Sequence, residues 1–352
     1  MHVLVTGGAG FIGSNLIRQV LSRAAIQRLV NLDCLTYAGN LVNLEAAVDH
    51  PNYVFEKVDL RDRAEVQRVV VEHDITHVLH LAAESHVDRS IAAPGDFVQT
   101  NVLGTFHLLE ACRGHWLASA HASSKPRLDP RFVHVSTDEV YGSLLDGSPF
   151  TESSPYAPNS PYSASKAGAD MLVRAYGRTY GLPVIITNCS NNYGPYQYPE
   201  KLIPVVIQRV MARQPIPIYG DGLQVRDWIH VLDHAQALWC VLERGRKGET
   251  YNIGGRNEWP NLRLVETLCD LLDELAPARF RDSRKLMTCV ADRPGHDRRY
   301  ALDISKIERE VGWSPAVDFA EGLRETVRWY LGHEDWLAQA ARASTRGQRV
   351  ES

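Results

Sequence analysis

Short runs of Val, Leu and Ile recur at residues 2–6, 28–32, 53–57, 77–81, 131–136 and 183–187, with longer segments of helical apolar spacing between them. This alternation predicts repeated β-α-β units and a parallel sheet. The runs are nearly all apolar instead of alternating in polarity, as in strands covered by helices on both faces. The expected fold class is α/β: a Rossmann-type doubly wound parallel sheet with a second, smaller α/β domain.

The texture changes near residue 190, where Pro, Tyr and Asn cluster at 191–199, and later helical patterns at 262–275 and 319–331 are separated by Gly/Pro-rich connections. The boundaries expected are 1–190 for the sheet domain, with a return segment at about 225–256, and 191–224 plus 257–332 for the smaller domain. Residues 341–352 read as a disordered tail, poor in apolar residues, and 115–130 as a helix end plus an exposed loop.

At 352 residues, the length suits about two folding units. Hydrophobic residues at 44% and charged ones at 23% exclude disorder as the dominant state. Lys plus Arg is 38 against 42 for Asp plus Glu, a net charge of −4, which gives no reason to expect nucleic acid as a partner. No apolar run approaches the ~20 residues of a membrane span, and Met1 leads into an apolar strand without a basic leader, so neither membrane insertion nor secretion is expected. Six scattered cysteines without a C-x-x-C pair read as reduced thiols of a cytoplasmic protein, and no metal site is expected.

Residues 6–13, Thr-Gly-Gly-Ala-Gly-Phe-Ile-Gly, follow the first strand directly and open a helical pattern. Gly8, Gly10 and Gly13 fit G-x-G-x-x-G, in which glycines permit a tight turn and close approach to a pyrophosphate at a helix N-terminus. Asp33 ends the second strand 20 residues beyond Gly13, where its carboxylate can accept both ribose hydroxyls and repel a 2′-phosphate. The pair points to NAD. Asp59, after the third strand, either holds the adenine amino group or is a surface or capping residue. Residues 81–85 end the fourth strand, where open α/β sheets place their ligands.

Tyr162 and Lys166, four residues apart, share one face of a helix, and a Lys beside a Tyr favours the phenolate needed for general-base chemistry. Thr137, just past the fifth strand, can hydrogen-bond the substrate hydroxyl that Tyr162 deprotonates. Asp138 and Glu139 follow it. Like charges and burial push the pKa values of such a pair apart, leaving one acid and one base, whereas the bland alternative is a capping Asp beside an exposed Glu.

With these motifs, and with LAAESHVDRS at 81–90, STDEVYG at 136–142, NCSNNYGPYQYPEKLIP at 188–204, PIYGDGLQVRDW at 217–228 and DRPGHDRRY at 292–300, the chain resembles the dTDP-glucose 4,6-dehydratase family of extended short-chain dehydrogenases from Met1 to about Gly332. The resemblance implies that NAD is regenerated within each turnover. Tyr162, assisted by Thr137 and Lys166, would take the C4 hydroxyl proton; Glu139 would remove the C5 proton, and Asp138 would protonate the departing C6 hydroxyl. For the cofactor it implies contacts from Gly7, Gly10, Phe11, Ile12 and Gly13, and from Asp33, Leu35, Thr36, Asp59 and Leu60. Leu81, Ala82, Ala83, Ser85, Thr100 and Asn192 complete that set with Tyr162 and Lys166.

For dTDP-glucose the resemblance implies Ser85, Thr137, Asn191, Glu200, Lys201 and Leu202 near the sugar and diphosphate. Pro217 and Tyr219 would border the base, Arg226 and Arg293 would pair with phosphate, and Asn261, His296 and Tyr300 would add contacts. An Arg fork suits a diphosphate, although either Arg can equally be a salt-bridge partner. His86 and Asp88 read as packing or capping residues. A homodimer is implied, and helical stripes at 92–113 and 163–180 offer faces for it, or for burial within one subunit. Two other functions fit part of the pattern. A UDP-sugar 4-epimerase or decarboxylase would share Tyr162 and Lys166 but needs no Asp138-Glu139 pair, and a silent NAD-binding scaffold would not need Tyr162 and Lys166.

Overall fold

Continuous apolar runs in the first half form the strands β1 (His2–Thr6), β2 (Arg28–Asp33), β3 (Tyr53–Lys57), β4 (His77–His80), β5 (Arg131–Thr137) and β6 (Val184–Cys189). Shorter strands follow: β7 (Asn191–Tyr193), β8 (Ile216–Tyr219), β9 (Val225–His230), β10 (Thr250–Ile253), β11 (Glu258–Pro260) and β12 (Met287–Val290). The computed structural model describes residues 1–122, 129–144 and 147–347.

Seven strands form one parallel sheet in the order β10-β6-β5-β4-β1-β2-β3. The strand order reverses between β1 and β4, which opens a crevice at the C-terminal ends of the strands, where such sheets bind ligands. Helices α1 (Phe11–Val20), α2 (Arg63–Glu72), α3 (Val87–Ala92), α4 (Pro94–Phe97), α5 (Thr105–Ala122) and α6 (Pro161–Tyr180) come from this half. Two apolar clusters cover the two faces, one around Leu16, Ile17 and Trp239, the other around Val69, Leu108 and Val173.

The smaller domain holds α7 (Leu202–Met211), and α8 (Val231–Arg244) crosses back to pack on α1. Then come α9 (Asn261–Leu275), α10 (Ser305–Val311), which packs on β10 and α8 in the core of the main sheet, α11 (Phe319–Gly332) and α12 (Glu334–Gly347). A three-stranded sheet β11-β9-β7, a two-stranded parallel pair β12-β8 and a third apolar cluster around Val206, Leu268 and Val327 complete this unit.

Three sequence expectations change here. Within 225–256, the strand that rejoins the main sheet is β10, paired with β6, while β9 pairs with β7 and β11. The helix expected over 92–113 is broken: Pro94 starts a new turn, and a π-helical stretch at Val98–Gly104 precedes α5. A Cβ on Gly104 would lie 2.9 Å from Leu60 Cβ, so this glycine lets the stretch pack closely. The segment expected to be disordered from 341 is helical through Gly347, because α12 is anchored by buried Trp336, Leu337 and Ala340. Residues 348–352 lie outside the described residues, as do 123–128 of the expected loop, whose helix end extends to Ala122.

Candidate active site

The C-terminal strand ends and the smaller domain enclose a cleft of about 900 Å³. At one end, the turn after β1 brings backbone against backbone. A Cβ on Gly7 would lie 2.8 Å from the Ala82 backbone, and one on Gly13 would lie 2.3 Å from the Gly7 carbonyl oxygen. Only glycine fits, and the surface left open at the start of α1 suits a pyrophosphate. Asp33 is 8% exposed; its Oδ2 accepts from the Ala9 amide at 3.0 Å and its Oδ1 from the Leu35 amide at 2.8 Å. Burial raises its pKa against these two bonds. A glycine cradle beside an oriented carboxylate fits the diphosphate and ribose of NAD.

Phe11, Ile12, Gly10, Thr36, Asp59 and Leu60 line this end, and Leu81, Ala82, Ala83, Ser85, Thr100 and Asn192 continue the wall. Leu35 does not. With φ at 57° its backbone turns the amide onto Asp33, so its place is behind the carboxylate and not in the wall. The Asp59 carboxylate accepts from the Arg61 guanidinium at 2.7–3.1 Å; burial would raise its pKa, and Arg61 outweighs that.

At the centre, α6 begins with a reciprocal cap. The Ser160 hydroxyl accepts from the Ser163 amide at 3.1 Å, and the Ser163 hydroxyl accepts from the Ser160 amide at 3.0 Å; Pro161 fills the first turn. This cap aims Tyr162 and Lys166 into the cleft. Lys166 Nζ donates to the Val135 carbonyl at 2.8 Å. The expectation that Lys166 draws Tyr162 toward neutrality is not met. Burial, then the Glu139 carboxylate, pushes the phenol well above its ordinary value, and the Thr137 hydroxyl opposes this.

Asp138 and Glu139 form one short turn after β5, capped by the Thr137 hydroxyl. Asp138 is 2% exposed, and its Oδ2 has no partner among the described residues. Burial and Glu139 push its pKa well up. Burial also raises Glu139, but Lys201, Arg226 and Arg293 pull it down, so of the pair Glu139 ionises more readily.

At the far end, Arg226 is buried. It donates to the Val225 carbonyl at 2.8 Å and the Asp297 carbonyl at 2.9 Å, and lies 4.3 Å over the Tyr300 ring. Arg293 pairs with Asp88 at 3.4 Å, and His296 Nδ1 bonds Asp292 at 2.6 Å. Lys201 donates to the Ser85 carbonyl at 2.7 Å, and Glu200 accepts from Tyr37 at 3.2 Å. Asn191, Leu202, Pro217, Tyr219 and Asn261 line the same end. His86 caps α3 through its ring, accepting from the Arg89 amide.

The sequence reading missed several groups. Arg89 lies 3.8 Å over the Tyr37 ring, and Trp228 Nε1, like Oδ1 of the expected contact Asn261, is buried in the cleft wall without a partner among the described residues. Beneath Lys166, Asp170 accepts from Ser136 at 2.8 Å and Tyr156 at 3.0 Å and bonds His134 at 3.0 Å. Burial raises Asp170 to about 7, opposed by Lys166. Its spacing, eight residues from Tyr162 and four from Lys166, was a signal for that shared face.

A family model described as GDP-mannose 4,6 dehydratase matches residues 4–326. The chain is 54% identical to a dTDP-glucose 4,6-dehydratase of Neisseria meningitidis serogroup B, covering 99% of this chain and 98% of that one. It is 53% identical to dTDP-glucose 4,6-dehydratase 1 of Escherichia coli K12, covering 96% and 94%. The crystal structure of DesIV, a dTDP-glucose 4,6-dehydratase from Streptomyces venezuelae with NAD bound, aligns with a TM-score of 0.88 at 47% identity over 97% of this chain and 100% of that one. A likeness this deep, running end to end through both domains, makes the chain a member of the dTDP-glucose 4,6-dehydratase family.

Proposed function

We propose that the protein converts dTDP-glucose to dTDP-4-keto-6-deoxyglucose and water, using resident NAD. NAD, when bound, accepts hydride from C4 of the sugar and returns it to C6. Tyr162 takes the C4 hydroxyl proton, its phenolate favoured by the Thr137 hydroxyl, with Lys166 on the same face of α6 held by the Val135 carbonyl. The 4-keto group acidifies C5. Glu139 then removes the C5 proton and Asp138 protonates the leaving C6 hydroxyl, so that water departs.

The observation that carries this reading is the unequal pair Asp138 and Glu139, both raised by burial but only Glu139 facing three cations. Elimination of water needs such an acid and base together. Arg226, Arg293 and Lys201 hold the diphosphate, Pro217 and Tyr219 border the base, and Asn191, Glu200, Leu202, Asn261, His296 and Tyr300 shape the remainder of the sugar-nucleotide site. Glycines 7, 10 and 13 with Asp33 hold NAD.

A second copy of the chain covers the exposed apolar residues Ile91, Val98 and Leu103 together with Met171 of α6, between 37% and 53% exposed. The six unpaired thiols suit a cytoplasmic setting. Among the described residues, no helix is long and apolar enough to cross a membrane. The test is turnover of dTDP-glucose by the purified protein. A 4-keto-6-deoxy product without net reduction of NAD is expected, and interconversion of UDP-sugars with no such product would overturn the reading.

A further inference from the structure

Asn43, 1% exposed, sits in the 3₁₀ turn Leu41–Ala47 behind the glycine loop. Its Nδ2 donates to the Ala9 carbonyl at 3.1 Å, and its Oδ1 accepts from Trp336 Nε1 of α12 at 2.8 Å, a contact spanning 293 residues. The Ala9 amide in turn donates to Asp33 Oδ2 at 3.0 Å. Three buried hydrogen bonds thus run from the last helix to the carboxylate read as the ribose acceptor. Trp336 is set for this by edge contacts with Trp329 at 5.2 Å and Tyr196 at 5.9 Å. Tyr196 itself accepts from Arg18 of α1 at 2.9 Å, and Asn15 of α1 donates to the Pro195 carbonyl at 3.0 Å. The smaller domain therefore grips α1 and its loop from behind, at a helix beyond residue 326, where the matching family model ends.

We propose that α12 is a latch on the dinucleotide loop, and that Trp336 is a positioning residue which, through Asn43, fixes the Ala9 backbone and the Asp33 carboxylate in the arrangement that retains NAD. The inference rests on NAD being the resident cofactor of the proposed reaction. That reaction demands retention, because hydride taken from C4 must be returned to C6 of the same sugar. A loop free to shift would let the cofactor leave between the two transfers, whereas a loop held by buried bonds is preorganised and loses less entropy on binding. Trp336 touches neither substrate nor cofactor in this scheme and acts only through Asn43.

The test measures NAD binding by calorimetry to the nucleotide-stripped full chain. Trp336→Phe keeps the aromatic packing and removes one N–H donor. We expect its NAD Kd to rise about two- to tenfold, the range for one lost buried hydrogen bond. The KM for dTDP-glucose at saturating NAD should stay within about twofold. Leu337→Ala empties core space on the same helix but has no hydrogen bond to Asn43; it should lower the melting temperature more than Trp336→Phe and leave NAD binding unchanged. Asn43→Ala alone should weaken NAD binding, and adding Trp336→Phe to it should cost nothing further, since both act through one chain of contacts. A wild-type NAD Kd in Trp336→Phe or in Asn43→Ala, an equal loss in Leu337→Ala, or additivity in the double variant would each overturn the latch. A wild-type chain that binds no NAD would overturn the cofactor reading beneath it and the latch with it.

Discussion

At the dinucleotide end of the cleft the wall is main chain: Gly7 and Gly13 leave no room for a methyl group, and Asp33 is held by two backbone amides. At the sugar-nucleotide end it is side chain, with Arg226 buried under Tyr300 and Asp138 buried beside Glu139. The first surface recognises by shape, because a cradle of peptide groups accepts what fits and excludes what does not. The second recognises and reacts by charge, because groups taken out of water have their protonation set by one another. Damage at the two ends should therefore look different. Changes at the glycines should cost affinity for NAD, and changes at the carboxylates should cost rate while leaving both ligands bound.

The largest effect expected is at Glu139. Glu139→Gln keeps the size of the side chain and removes the C5 base, so kcat should fall about 10²- to 10⁴-fold. C4 oxidation should persist, and reduced nicotinamide should build up in a single turnover measured by absorbance. NAD affinity should not change. In the wild type, kcat should fall on the acid side as Glu139 takes a proton and on the alkaline side as Asp138 loses one, a bell whose two limbs belong to the coupled pair. The variant should lack the acid limb. Normal product at normal rate from Glu139→Gln would remove the base from that residue and the charge-based account from that end.

Gly13→Ala tests the other end. The added Cβ would meet the Gly7 carbonyl oxygen at 2.3 Å and Gly8 Cα at 2.7 Å, both main-chain atoms that cannot swing aside. Overpacking of this kind costs about 3 kcal/mol or more, so NAD affinity should fall about 100-fold or further. Calorimetry with dTDP alone should show the second ligand bound as in the wild type. If dTDP affinity fell equally, the two ends would not be separable, and the contrast drawn between them would fail.

Much of this contrast was legible in the sequence, for reasons that differ at each end. The glycine loop and the parallel strands write themselves in contiguous residues, because a strand buried on both faces must be apolar throughout and a cradle must be glycine at fixed offsets. Tyr162, Lys166, Thr137, Asp138 and Glu139 were also local. What stayed hidden was set by packing between distant segments. Nothing near Trp336 announces Asn43, and nothing in Thr250–Ile253 distinguishes a strand of the main sheet from a short turn-bounded run. The break before α5 was concealed because the apolar spacing continues through the π-helical stretch that brings Thr100 to the cleft. Leu35 was expected as a cofactor contact from the family resemblance, while its left-handed backbone sends the amide to Asp33. Asp170 belongs to the same face as Tyr162 and Lys166, yet its bonds to His134 on β5 and to Tyr156 depend on tertiary contacts.

The smallest effect expected separates the two carboxylates of the dinucleotide end. Asp33 is buried and both its oxygens are oriented by main chain, whereas Asp59 is partly exposed and both its oxygens already accept from Arg61. A carboxylate engaged in a half-exposed ion pair has little to offer a ligand, and such pairs are worth about 0–1 kcal/mol. Asp59→Asn should therefore shift NAD affinity by less than about 1 kcal/mol, under about fivefold in Kd, with a melting temperature close to wild type. A larger loss, with the fold intact by circular dichroism, would mean that Asp59 releases Arg61 when NAD arrives and holds the adenine amino group itself. In that event recognition at this end would depend on a side chain that changes partners, and the main-chain cradle would no longer account for it alone.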